Sequence, residues 1–449
     1  MKKCVIAVVI ALGITAALLI IPKSTVEDSE KGRAVAAHLR ALTSSDYQTR
    51  DQAEAALAAI GPETAPFLIA ALDDRPTALE TALVRLNRRT GFPRIEVSST
   101  PQLRVRAAEQ LARLAPHDPS AAPALVRAFT DDHATVVSEA QRSLRRIGAQ
   151  RALPELLHAL SKRDARTRRC ATEVLRDFGR KASDATPELL ELLRDRSEGV
   201  RAEAAHALAT VGGGAAVPGL TRALGDKASS VRAAAANALA TLGPEAASAC
   251  GDLHQRLRDK DSDVRVACAK AVWMIQRDAD ASVPVLITAL REPVSWEAAL
   301  VLARIGPSAS NAVPALIERL KREKVPRPLR ETCVAALALG QIGAASVPAL
   351  IPILRHEDPR VRTSAALALG YVGAPAAPAT PQLVKLLNDP DGDVRRAATL
   401  SLGTIDPSRI ELVSALLAMA NDEDIFLQSL AASTLERIDP IAAASVRRE

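Results

Sequence analysis

The stretch PGLTRALGDKASSVRAAAANALATLG, residues 218–243, decides the architecture. Pro218 stands at the head of a short apolar helix ending at Leu224, and a polar loop follows from Gly225 to Ser230. Val231-Arg232 then opens a second helix. Its apolar residues Val231, Ala235, Leu239 and Leu242 recur at spacings of four, four and three, which lays one apolar stripe along a helix. Gly243 stops it, since a left-handed C-cap suits glycine. Proline fits the first turn of the first helix, where its missing N–H has no intrahelical partner. A hairpin of this kind cannot bury its stripe alone, and stacked copies complete the core.

The same grammar recurs along the chain. Proline heads a short apolar helix at Pro123, Pro154, Pro187, Pro218, Pro284, Pro314, Pro348 and Pro381, mostly 30 to 34 residues apart. The stripe of the second helix can be laid down twelve times, starting at Thr49, Leu103, Val136, Thr167, Val200, Val231, Val264, Val294, Glu331, Val361, Val394 and Leu427. A period of this length signals a repeat array. The expected fold is therefore all-α, a right-handed α-solenoid of about twelve two-helix repeats. Composition agrees: 48% of the chain is hydrophobic but only 2% aromatic, a palette for closely packed Ala- and Leu-rich helices and a poor one for a β-sandwich.

Arginine stands next to the stripe start in eight repeats. In four of them an Asp lies six residues earlier, giving Asp195/Arg201, Asp226/Arg232, Asp259/Arg265 and Asp389/Arg395. These pairs are expected to bond across the turn and to the neighbouring repeat, forming a ladder that fixes the angle between repeats. An arginine-lined ligand path is the functional alternative.

Pro, then Asp eight residues on, then Arg six after that, as in Pro218, Asp226 and Arg232, resembles the HEAT repeat. The wording from Val361 to Gly373, VRTSAALALGYVG, is similar to the HEAT-like subgroup named for phycobilisome lyases. The resemblance spans roughly residues 34–440. It implies a binding scaffold, transport factor or regulatory subunit rather than one activity, with a bilin-lyase-like accessory role as the runner-up and an envelope structural protein as a third reading.

Met1-Lys2-Lys3 precedes an unbroken apolar run from Cys4 to Ile21, closed by Pro22. Eighteen helical residues span roughly 27 Å, close to the thickness of a bilayer core, and the lysines orient the rest of the chain outward. The run lacks a small-x-small cleavage site directly after it. Residues 1–22 are therefore read as a membrane anchor, with a cleaved signal as the alternative, 23–33 as a linker and 441–449 as a tail. Either way the body is expected to be extracytoplasmic.

Departures from the period mark candidate sites. Residues 73–102 form an insertion between the first and second helices of one repeat, a place where rim loops carry either binding or mere decoration. The second irregular region holds both tryptophans. Trp273 falls nine residues after Val264 and Trp296 two after Val294, and these offsets are expected to turn both rings away from the stripe, beside Leu300, Leu337 and Leu367. Together these five are the candidate partner-binding groove. A basic face, Arg142, Arg145, Arg169 and Arg176, is the weaker candidate, because Glu109, Glu139, Glu173 and Asp177 lie among its arginines.

The net charge of +6, from 58 basic and 52 acidic residues, does not demand a nucleic-acid partner. Cys4, Cys170, Cys250, Cys268 and Cys333 show neither CxxC nor zinc-finger spacing, and the seven histidines lack metal-ligand spacing. Neither a nucleophile motif nor a phosphate loop occurs. The expectation is a non-catalytic monomer with no cofactor and no metal, which holds a protein or peptide partner on its second helices.

Overall fold

The computed structural model describes residues 30–74, 100–293, 295–322, 333–405, 413, 416–417, 419 and 425–438. The apolar run 4–21, most of the insertion and the C-terminal tail lie outside the described residues. So do the stripe starts Val294 and Glu331.

Among the described residues every regular element is helical. The second helices of the repeats, numbered α1 to α12, are Tyr47–Ile60, Pro101–Leu114, Ala134–Ile147, Ala165–Phe178, Glu198–Val211, Ser229–Leu242, Ser262–Gln276, Ser295–Ile305, Val334–Ile342, Pro359–Val372, Gly392–Ile405 and Ile425–Ile438. Each described stripe start is the third residue of its helix, from Thr49 in α1 to Leu427 in α12. The first helices are shorter, for example Thr186–Leu192 and Val217–Ala223. The earliest, Glu30–Ala41, begins inside the stretch read as linker.

The fold is an all-α solenoid made of two compact units. One holds α1 to α5 and ends at Gly212; the other begins at Gly213 and holds α6 to α12. Within each unit second helices lie beside second helices, α2 on α3 and α4 on α5 in the first, and α6 on α7 and α10 on α11 in the second. The cores are largely Ala, Val and Leu. Val231, Ala235 and Leu239 of the founding repeat are fully buried.

Most second helices pass to the next first helix through a 3-10 turn, such as Gly243–Ala249, where Gly243 has φ 59° and donates its N–H to Leu239. Proline then sits second in the following helix at Pro187, Pro218, Pro314, Pro348 and Pro381. Pro154 and Pro284 depart from the expected first-turn position. They lie inside the helices Ala149–Leu160 and Ala279–Ala289, because α3 and α7 pass to these helices directly and the extra residues are wound onto their N-termini.

Two described stretches, Tyr47–Asp73 and Ser295–Arg322, are long and apolar enough to cross a membrane. Each is two helices joined by a 3-10 turn that opens on a positive-φ glycine, Gly61 or Gly306, so neither is one straight rod.

Candidate functional site

The arginine ladder exists, but its register differs from the sequence expectation. Asp195 accepts from Arg168 at 2.7 and 2.8 Å, Asp259 from Arg232 at 2.9 and 2.7 Å, and Asp389 from Arg362 at 2.8 and 2.8 Å. Each pair joins consecutive repeats 27 residues apart. The arginines expected to meet those carboxylates across the turn bond the main chain instead. Arg201 donates to the Asp195 carbonyl at 2.8 Å, Arg232 to Asp226 at 3.0 Å, Arg265 to Asp259 at 2.8 Å and Arg395 to Asp389 at 3.0 Å. Each of these carboxylates also closes an Asx turn in its own repeat. Asp195 accepts the Ser197 N–H, Asp226 the Ala228 N–H, Asp259 the Asp261 N–H and Asp389 the Asp391 N–H, a local fold that such short acidic side chains favour.

Two further rungs use carboxylates outside the four-pair pattern: Arg104 with Asp131, and Arg265 with Glu292. The constant separation of 27 residues is the signal that finds them. Burial pushes Asp259 up, but the Arg232 bond and the Asp261 N–H outweigh it and hold the carboxyl below 3.8; Asp195 behaves alike through Arg168 and the Ser197 N–H.

The two tryptophans part company. Trp296 is 50% exposed at the start of α8. Trp273, near the end of α7, is buried in the apolar core of the second unit, against expectation. Its register explains the burial. Nine residues past the stripe start the repeats of α6 and α8 to α11 carry the small residues Ala240, Ala303, Gly340, Gly370 and Gly403, and at Gly340 and Gly370 neighbouring second helices touch. A Cβ on Gly370 would come within 2.6 Å of the Ser401 hydroxyl, and one on Gly340 would overlap the Tyr371 Cβ. Between α7 and α8 the helices touch far less than α6 and α7 do, and at this register Trp273 takes the place of a small residue. Its indole N–H is buried without an acceptor, and the Arg277 guanidinium lies 5.2 Å from the ring centroid. Arg277 closes α7 at φ 59°, where eight other described C-caps and turns use glycine.

The gap between α7 and α8 leaves a cavity of about 170 Å³ lined by Val266, Lys270, Trp296, Glu297, Leu300 and Arg304, with Asn237 of α6 at its edge. The Lys270 ammonium donates to Asn237 at 2.9 Å, and burial, with Arg304 beside it, lowers its pKa below the ordinary lysine value. Leu300, Leu337 and Leu367 are all half-buried. Leu400, on α11 in the same register as these three, is 44% exposed and belongs with them; counting six residues from Val394 would have found it.

In the first unit the basic face is an ionic mesh. Arg142 pairs with Glu139, Arg145 with Asp177, Arg169 with Glu173 at 3.4 Å, and Arg176 with both Glu203 and Asp177. Glu139 is fully packed in. Burial and the nearby Glu109 raise its carboxyl above 4.5 despite Arg142 and Arg146, because those guanidinia are more than half exposed and water weakens their pull. The described cysteines Cys170, Cys250, Cys268 and Cys333 are buried thiols. Burial pushes Cys170 up to about 11 and Cys268 up to about 12, so neither is a nucleophile at neutral pH.

A profile of HEAT repeats matches residues 92–176, 186–250, 327–380 and 380–446, more than half of the chain. The chain belongs to the HEAT-repeat family. The unmatched stretch 251–326 is the one that holds the Arg277 link, α8 and both tryptophans. Among solved structures the HEAT-repeat chain is similar to yeast importin-beta (Kap95p), at 14% identity and TM-score 0.60 over 93% of this chain and 63% of that one. It is also similar to Kap95p bound to RanGDP, at 15% identity and TM-score 0.56 over 92% and 57%. Importin beta in an ammonium sulfate condition gives 14% identity and TM-score 0.52 over 90% and 55%. The chain thus spans less than two thirds of these importins, and the likeness is one of fold. None of the curated proteins matches the chain.

Proposed function

We propose that this HEAT-repeat protein is a non-catalytic scaffold that holds a protein or peptide partner on the second-helix face of its C-terminal unit. The observation that carries this reading is Trp296, half in solvent above a cavity floored by Val266 and Leu300. A large aromatic ring is costly to leave wet and is a common anchor of protein interfaces. Structurally similar Kap95p is itself described with RanGDP and with Nup1. The proposal includes a membrane tether through residues 1–22 and an extracytoplasmic solenoid, for which the Lys2-Lys3 and apolar 4–21 pattern is the support.

A bilin-lyase-like role has weaker support. The repeat wording on which it rests supplies Val361, Ala365, Ala366, Ala368 and Leu369, all buried in the stack, so packing alone accounts for that wording.

The test is proximity labelling in the native cell followed by capture with purified wild type and Trp296→Ala. Loss of the captured partner in the variant, with unchanged thermal melting, supports the scaffold. Equal capture by both proteins removes Trp296 from the site.

A further inference from the structure

Seven residues past its stripe start, a second helix turns a side chain towards the second helix before it. Ser143 of α3 donates to the Ala108 carbonyl of α2 at 3.0 Å, and Ser401 of α11 donates to the Ala366 carbonyl of α10 at 2.7 Å. Every repeat but one holds Ala, Val, Ser or Thr at this register, as at Ala56, Val174, Ala207, Ala238 and Thr434. The exception is α2, which carries Gln110.

Both serine acceptors lie five residues past the preceding stripe start, and on α1 that place is Glu54. However, α2 packs on the first helix Ala65–Asp73 and scarcely touches α1. What joins α1 and α2 is a side-chain pair, Arg113 donating to the Glu54 carboxylate at 2.8 and 3.1 Å. Gln110 is only 5% exposed, and its amide nitrogen is buried without an acceptor among the described residues. A buried donor left unpaired destabilises a fold, and the small residue used elsewhere would avoid that loss. Packing alone does not account for this glutamine.

Gln110 lines a cavity of about 310 Å³ beside the C-terminal halves of α1 and α2. Its walls are mainly apolar, formed by Leu57, Leu68, Leu114, Ala58 and Pro62. The other polar groups on the lining are engaged or stand at its edge. The Thr64 hydroxyl donates to the Gly61 carbonyl at 2.7 Å, Arg113 is held by Glu54, and His117 is exposed. Apolar walls with a few fixed polar groups, at this volume, describe a small-molecule site. With Arg113 already neutralised, a charged ligand would lose its hydration without gaining a counter-charge. An uncharged acceptor avoids that loss and satisfies the buried amide.

We infer that the cavity between α1 and α2 binds a compact, uncharged apolar molecule bearing a carbonyl, whose oxygen accepts the Gln110 amide hydrogen. The site belongs to the N-terminal unit and does not depend on the scaffold reading above.

Ligand-observed NMR titration of the full chain tests it with acetophenone and isopropylbenzene, which match in shape and differ in the carbonyl. The ratio of their affinities cancels their unequal hydrophobicity when two proteins are compared. From wild type to Gln110→Leu this ratio is expected to shift about fivefold to tenfold against acetophenone. Melting of the variant should be no lower than wild type, because the unpaired donor is gone. Gln110→Met serves if leucine fits poorly. Ala58→Phe, at an exposed lining position, should block both probes. An unchanged ratio in the leucine and methionine variants overturns the role of Gln110. A loss of aniline, which donates, with acetophenone spared would turn the amide round and overturn the carbonyl. Undiminished binding by Ala58→Phe, or binding of neither probe at millimolar concentration, overturns the cavity as the site.

Discussion

The second helices of the two units share one inner code and carry two outer ones. Inside, α2 and α4 obey the same stripe and the same ladder as α6, α7 and α10: Arg104 on Asp131 and Arg168 on Asp195 repeat the geometry of Arg232 on Asp259 and Arg362 on Asp389. Outside, α3 and α4 present arginines neutralised by carboxylates, whereas α8 to α11 present leucines and two exposed aromatic rings. Packing and surface are therefore written in different registers of the same helix. A repeat array can change what it binds without changing how it stacks.

The largest effect expected is one that separates these codes within the N-terminal unit. Arg104→Ala takes the guanidinium from Asp131, whose side chain is 1% exposed, which costs about 3–5 kcal/mol. Arg142→Ala removes a guanidinium 58% exposed and costs at most about 1 kcal/mol. Denaturant unfolding of both variants measures the difference. Equal losses would mean that the outer mesh, and not the ladder, holds this unit.

The tryptophans make the same cut in the C-terminal unit. Trp273→Ala should cost about 3–5 kcal/mol through the cavity it opens, while Trp296→Ala should change stability by no more than about 0.5 kcal/mol. Trp273→Phe should be far milder than the alanine, because it keeps most of the apolar ring and removes the buried N–H that has no acceptor. A stable, well-folded Trp273→Ala would return that residue to the surface where its offset in the sequence had placed it.

Much of this was legible in the chain. The stripe located the third residue of every second helix for which a start is described, from Thr49 to Leu427, since burial repeats wherever the period does. Side-chain direction was less legible. Trp273 was misplaced because a helical wheel shows only the angle from its own stripe, and the register nine residues on is covered by a neighbouring helix. The ladder's partner was misassigned for a similar reason. Proximity in sequence favoured Asp226 for Arg232, but Arg232 takes the Asp226 main-chain carbonyl across the turn and reaches the Asp259 carboxylate of the next repeat.

A third contrast sets carboxylates of the mesh against those of the ladder. The pKa of Glu139 is raised in the folded chain above 4.5. Its charge therefore costs stability as pH rises through the folded value and costs nothing below the unfolded one. Glu139→Gln should accordingly be more stable than wild type at pH 7, with the gain gone below about pH 4.5. Asp259 is lowered, so its contribution is present above 3.8 and is lost as pH falls through the folded value; Asp259→Asn should be destabilising at pH 7. Melting of both variants across pH checks the opposite signs, and a destabilised Glu139→Gln at pH 7 would show that Arg142 and Arg146 outweigh burial.

The smallest effect expected lies at Arg277, where two opposed terms nearly cancel. A non-glycine residue in the left-handed region costs roughly 1–2 kcal/mol, and Arg277, at φ 59°, is the one such residue among those described. Glycine would relieve that cost but would add roughly 0.5–1 kcal/mol of chain entropy to be lost on folding. It would also remove a guanidinium 5.2 Å from the Trp273 ring centroid, a contact worth about 0.5–1 kcal/mol. Arg277→Gly should therefore lie within about 0.5 kcal/mol of wild type. In a Trp273→Ala background the ring contact no longer exists, so the same substitution should become more favourable by that contact's worth. Denaturant unfolding of the four proteins of this cycle measures the coupling. A coupling of zero would mean that the cation does not cover the indole, and that the arginine at this cap has no stabilising role in the α7 link.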